Sequence, residues 1–128
     1  MSEVTRINPT QLAPPGGHYS HVSIAGGLVF VSGQLPITAT GEKLTQAPFE
    51  QQAQQVLDNV RAALESAGSD IDHLVQVRVY VDSMGNWPAF NQVYARWAGA
   101  ARPARAVVPT GPLHFGLKVE VEAVAALR

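Results

Sequence analysis

Three side chains toward the end of the chain are of the types that carboxylate chemistry needs. Arg105 follows Arg102-Pro103-Ala104 at the head of an apolar run. A planar guanidinium in that place can bind a carboxylate through two parallel hydrogen bonds of fixed geometry. Glu120 and Glu122 are two residues apart, which in a strand puts both on one face, where either could take a proton from water as a general base. Each has an ordinary alternative. An arginine in a strand commonly serves a structural ion pair or faces solvent, and alternating glutamates commonly mark a solvated strand face. Residue types alone leave these choices open.

The other chemistry-bearing residues form no motif. His18, His21, His73 and His114 lack HExxH or other metal-ligand spacing, and His73 stands with Asp70 and Asp72 in a loop-like stretch, so no metal is expected. Ser32 is not in a GxSxG elbow, which leaves it a hydrogen-bonding rather than a nucleophilic role. Lys43 and Lys118 sit in polar surroundings with no apolar pocket to activate them, and read as surface lysines. Gly16-Gly17 and Gly26-Gly27 lack the lysine and following helix of a phosphate loop and read as turns.

These residues must be positioned by elements that the patterning predicts. After an irregular lead-in, Pro9 to Gly17, two β-type runs flank Gly26-Gly27. A two-residue turn there pairs Ile24 with Val29, Val22 with Val31, Ser23 with Phe30 and His21 with Ser32, gathering polar groups beside Ser32. Apolar residues at Ala53, Val56, Leu57, Val60, Leu64 and Ala67 have helical spacing over about 48–67, with Gly68 as a C-cap. Val75, Val77, Val79 and Val81 alternate as in a strand. A second helix, capped by Asn86, buries Phe90, Val93, Tyr94 and Trp97 and carries Asn91 at the edge of that stripe. Arg105–Val108 and Lys118–Ala126 read as strands joined by a Pro- and Gly-rich loop, 109–117. The order ββαβαββ, with a further strand possible before it, indicates an α+β domain over residues 1–128 rather than a doubly wound sheet. Two helices cover one sheet face, yet Phe30, Tyr80 and Val124 lie opposite the most apolar positions of their strands, which points to self-association over the other face.

Composition narrows the partners. Nine Lys and Arg against ten Asp and Glu give a net charge of −1, so no broad basic field exists to hold nucleic acid or anionic lipid. The chain has no cysteine, which excludes a disulfide, a thiolate nucleophile and thiolate-bound zinc. No apolar run approaches a membrane span and the first residues are polar, so a cytoplasmic location is expected.

Several strings say more when read in order: Tyr19-Ser20 before a hairpin, Ser32-Gly33-Gln34-Leu35-Pro36, Leu57-Asp58-Asn59, Arg102-Pro103-Ala104-Arg105 and Glu120-Val121-Glu122-Ala123. Together, from about Gly16 to Ala125, they resemble the Rid family (YjgF type). The resemblance implies a chorismate-mutase-like fold, a mixed β-sheet with two helices packed on one face. It also implies a homotrimer with clefts between subunits and cofactor-independent hydrolysis of reactive imines or enamines to 2-oxo acids and ammonia, a form of metabolite damage control. Arg105 would hold the substrate carboxylate, Glu120 would position or activate water, and Tyr19, Ser32, Asn91 and Val107 would line the cleft. Such a clamp places the electrophilic carbon near a water without a cofactor. Ribonuclease activity, linked to some relatives, is disfavoured here by the charge balance. Two further readings use the same clamp: a non-catalytic module that binds or senses small carboxylates, and an aminomuconate-type enamine deaminase with a longer pocket. The sequence departs from the family's pattern at His18, where many members have proline, at Val107, where several have cysteine, and in the loop 109–117, whose His114 could face a ligand.

Overall fold

The computed structural model describes residues 3–128. The strands are β1 (Thr5–Ile7), β2 (Val22–Ala25), β3 (Leu28–Gln34), β4 (Leu74–Val81), β5 (Ala104–Pro109) and β6 (Val119–Ala126), and the helices are α1 (Phe49–Ser66) and α2 (Trp87–Ala98). All six strands join one sheet in the order β1-β2-β3-β6-β4-β5. The sheet is mixed: β4 and β5 are parallel, while the other neighbouring pairs are antiparallel. The parallel pair is joined through α2, since parallel neighbours need a crossover longer than a turn.

The hairpin has the expected register, with Val22 opposite Val31, Ser23 opposite Phe30 and Ile24 opposite Val29. Its turn works because Gly26 and Gly27 both take positive φ, 59° and 78°, which glycine adopts without steric cost. α1 ends as expected near Gly68, in a Schellman arrangement: Ser69 N–H donates to Leu64 C=O at 2.9 Å and Gly68 N–H to Glu65 C=O at 3.3 Å, with Gly68 at φ 86°. The start of α2 differs from expectation. Asn86 precedes the helix but has helical backbone angles and no capping hydrogen bond, because a 3-10 turn, Met84–Asn86, runs directly into the helix. Ser83 caps that turn instead, its side chain accepting from Gly85 N–H.

Both helices pack on the same face of the sheet. Val56, Leu57, Val60 and Leu64 of α1 and Phe90 and Val93 of α2 meet Val77 and Val79 of β4 and Val119 and Val121 of β6, all essentially without solvent exposure. Each fully buried Val or Leu side chain here contributes about 1.5–3 kcal/mol. The opposite face carries Phe30, Tyr80, Glu120, Glu122 and Val124, none of them fully buried. The fold is therefore α+β, a mixed sheet with two helices on one side.

One buried amide sets the chain path next to the open face. Asn59 of α1 donates to the carbonyls of Leu35 and Ile37 at 3.1 and 2.9 Å, while its own oxygen accepts from Gln55 at 2.9 Å. The exit from β3 is thus pinned to α1. Asn59→Ala leaves two carbonyls short of a donor, and urea denaturation is expected to show a loss of about 1–3 kcal/mol; a change under about 0.5 kcal/mol would mean that the exit is held by packing alone.

Candidate functional site

The polar cluster beside Ser32 is built by a β-bulge. Val31 pairs with Ala123 but Gln34 pairs with Val121, so β3 spends three steps where β6 spends two. A bulge bends a strand and re-aims its side chains. Here it brings the backbone of Gly33 against the Glu120 carboxylate so closely that a Cβ at residue 33 would lie 2.1 Å from Glu120 Oε2. Only glycine leaves room for the carboxylate in that position. Beside it, Ser32 Oγ donates to Ser20 C=O at 2.6 Å, which uses its proton and leaves its oxygen able to accept.

His21 organises the rest of this wall. Its Nε2–H donates to Ala13 C=O at 2.7 Å, its Nδ1 accepts from the Gln34 amide at 3.1 Å, and its backbone N–H donates to Asn8 Oδ1 at 2.9 Å. These partners assign the tautomer and tie the irregular lead-in to the end of β3. The Tyr19 ring stands edge-on to the imidazole, 5.9 Å between centroids. Together the lead-in, the bulge, β6 and the loop after β5 enclose a cavity of about 730 Å3, with Tyr19, Ser32, Gly33, His114, Phe115 and Glu120 in its wall.

The two glutamates, equivalent in the sequence, have different surroundings. Glu122 accepts a short hydrogen bond from the Tyr80 hydroxyl and lies 3.7 Å from Arg78 Nη1. That bond raises the Tyr80 pKa above the usual phenol value, burial and the Glu122 charge adding to the effect. Glu120 has no such partner among the described residues. Burial raises its carboxyl above the ordinary value, His114 opposes the rise, and the charge on Glu122 adds to it. A carboxylate shifted toward neutrality and free of partners is the better placed of the two to take and return a proton.

Arg105 lies elsewhere. It pairs with Val77 across β4 and β5, and Val107 pairs with Val79, so both point to the helix-covered side. The Arg105 guanidinium donates from Nη1 to Asn91 Oδ1 at 3.0 Å and rests on the Tyr94 ring at 4.8 Å. Burial raises the Tyr94 pKa and the Arg105 charge opposes it. No acidic partner for Arg105 is found among the described residues. The guanidinium is positioned by the Asn91 and Tyr94 contacts with most of its five N–H donors uncommitted. β5 is also the outermost strand, so this cluster stands at the edge of the sheet.

The candidate residues thus form two clusters. Tyr19, Ser32 and Glu120 line the cavity on the open face, while Arg105, Asn91 and Val107 gather at the β5 edge on the other. One chain does not bring them together. Gly33, Phe115 and Lys43 join the first cluster without having been singled out for it, although Gly33 stands inside the Ser32-Gly33-Gln34 string, whereas His21 lies beside Ser32 as the hairpin register led one to expect. Among the described residues no three His, Cys, Asp or Glu side chains cluster as a metal site would, and His73 bonds Asp70 at 2.6 Å instead. No helix is long and apolar enough to cross a membrane.

Comparison with known proteins places the chain in a family. Residues 10–127 match the family model described as Endoribonuclease L-PSP. A RutC family protein of Pyrococcus horikoshii is 36% identical over 91% of this chain and 93% of its own. A protein of Dermatophagoides farinae named 2-iminobutanoate/2-iminopropanoate deaminase is 30% identical over 95% of this chain and 96% of its own. The crystal structure of RidA from an Antarctic Psychrobacter superposes with a TM-score of 0.91 at 29% identity, covering 96% of this chain and 99% of that one. The chain belongs to the Endoribonuclease L-PSP family, the YjgF/Rid family, which includes imine deaminases.

The raised pKa of Glu120 makes a statement about stability. A carboxyl whose value is higher folded than unfolded favours the fold while protonated, and this contribution is lost as pH rises through the folded value. Glu120→Gln, always neutral, is therefore expected to melt higher than wild type at neutral pH, with the gap closing on acidification toward the ordinary carboxyl range. Thermal melts of both proteins across pH 4 to 8, a window set about the ordinary carboxyl value, check this, and a gap that widens at low pH would contradict it.

Proposed function

We propose that the protein is a cofactor-independent deaminase that hydrolyses reactive 2-imino and enamino acids to 2-oxo acids and ammonia. The observation that carries this reading is Arg105: a guanidinium oriented by Asn91 and Tyr94, without an acidic partner of its own. Its complement is Glu120, half-buried in a cavity and uncommitted. Because the sheet keeps these groups on opposite faces, the reading includes a second copy of the chain whose β5 edge closes the Glu120 cavity, in a homotrimer. The half-exposed Phe30, Tyr80 and Val124 on the open face supply apolar surface for that contact.

The chemistry follows from the groups. The substrate carboxylate accepts two N–H bonds from Arg105, which fixes the adjacent C=N carbon. Water adds to that carbon as Glu120 takes one of its protons, and the C=N electron pair moves to nitrogen. Glu120 passes that proton to the nitrogen, which completes the carbinolamine, then takes the hydroxyl proton as the C=O forms and the C–N bond breaks, and delivers it to the departing nitrogen, which leaves as ammonia. The Tyr19 ring and Ser32 Oγ wall the site. With Val107 in the place of cysteine, any contribution from that position comes through the backbone. A net charge of −1 favours this reading over an RNA-directed activity despite the family's description.

Imine decay is the direct test, using 2-iminopropionate made in situ by an amino-acid oxidase. Arg105→Lys loses the two-point grip and is expected to lower kcat/KM about 100-fold, and Glu120→Gln to lower kcat about 100-fold or more. Rates equal to wild type in both would overturn the assignment. Gly33→Ala keeps Glu120 in the chain but pushes its flexible carboxylate aside, and is expected to lower kcat about 100-fold with little change in urea stability. In solution the mass should be three times the 13.6 kDa of one chain; a monomer with full activity would contradict the shared site.

A further inference from the structure

Phe115 is the single non-glycine residue among those described with positive φ, at 61° with ψ 19°. A bulky residue in the left-handed region is an outlier, and such strain persists only where surrounding contacts over-determine it. They do so here. Thr45 Oγ1 donates to Phe115 C=O at 2.9 Å, and the Lys43 ammonium stands 4.6 Å over the Phe115 ring. Gly116 follows at φ 69°, its Cα so near Thr45 that a Cβ would touch Thr45 Cγ2 at 3.4 Å. The loop is thus fastened to the segment after β3, with Phe115 held at the cavity.

The fastening does not hide the ring. Phe115 is 55% exposed and Tyr19 48% exposed, and both line the cavity with Leu12, Ala13, Pro14 and Ile37. At about 730 Å3 it falls in the range of about 300–1,000 Å3 that accommodates ligands far larger than a three-carbon imino acid. Its polar wall includes Glu120 and Glu122, whose charges disfavour an acidic substrate side chain beside them, while the Lys43 ammonium in the same wall is stacked over the Phe115 ring. Aromatic rings prefer offset or edge-on packing against other rings, and two exposed rings in a wall shared with Leu12, Pro14 and Ile37 offer that geometry.

We infer that the site takes 2-imino acids with large aromatic side chains, and that Phe115 is the residue that selects them. This rests on the deaminase reading for turnover, but it makes a separate claim about binding. Phe115→Gly is the informative variant, because glycine suits φ 61° and keeps the loop path while removing the ring. Imines are generated in situ from phenylalanine, alanine and glutamate, and binding of phenylpyruvate and pyruvate is measured by calorimetry on the same proteins. Wild type is expected to favour the phenylalanine-derived imine over the alanine-derived one by at least about tenfold in kcat/KM, and phenylpyruvate over pyruvate by a similar factor. In Phe115→Gly both ratios should fall toward one. Equal ratios in wild type, a preference for the glutamate-derived imine, or ratios unmoved by Phe115→Gly would overturn the inference. A changed solution mass with unmoved ratios would place Phe115 in subunit contact and overturn it as well. Turnover of no imine, with the phenylpyruvate preference present and lost in Phe115→Gly, would sink the deaminase reading and leave this one standing.

Discussion

A β-strand sends successive side chains to opposite faces, and this chain uses that alternation to keep its cation and its carboxylate apart. Val77 and Arg105 share one side of the sheet, Tyr80 and Glu120 the other. Within one chain the guanidinium therefore cannot neutralise the carboxylate it would otherwise attract. Arg105 is held instead by an amide and a phenol ring, and Glu120 packs against the backbone of a glycine. The separation keeps a strong acceptor and a strong donor unspent within one chain.

The Glu120 half depends on devices that act at a distance. Asn59 fastens the β3 exit from the helix side, His21 fastens the lead-in from its own side, and the bulge lies between them. They fix where the carboxylate and the Tyr19 ring stand, and a half-buried carboxylate owes its raised pKa to that enclosure.

The amino-acid pattern made much of this legible and some of it not. Val77, Val79 and Val81 of β4, and apolar residues three and four apart in both helices, report burial on one face directly, whereas Val75, at a shift in register against β6, is exposed although it continues the alternation. The Gly26-Gly27 turn carried the hairpin register with it. Asn86 misled because a capping residue type says nothing of whether a preceding turn already runs into the helix. Lys43 was read as a surface lysine, since its partner ring lies in a loop far along the chain. The bulge was hidden for a similar reason: an extra residue in a strand shows only against its partner. Glu120 and Glu122 are alike as residues, and the neighbours that separate them, Tyr80 and Arg78 at Glu122 and Gly33 at Glu120, come from other strands. Arg105 needed its ordered motif company to stand out from any other strand arginine.

The place of β6 in the sheet has a consequence for how the molecule comes into being. It is the last strand in the chain yet lies between β3 and β4, so the two halves of the sheet have no shared ladder until it inserts. On the ribosome, α1, α2 and the hairpin can gather early, but the sheet must wait with two open edges until residues 119–126 emerge. Such late, non-local pairing makes for slow folding and an interval of exposure to aggregation. Because β6 also carries Glu120, the carboxylate reaches its place against Gly33 only as the sheet is completed.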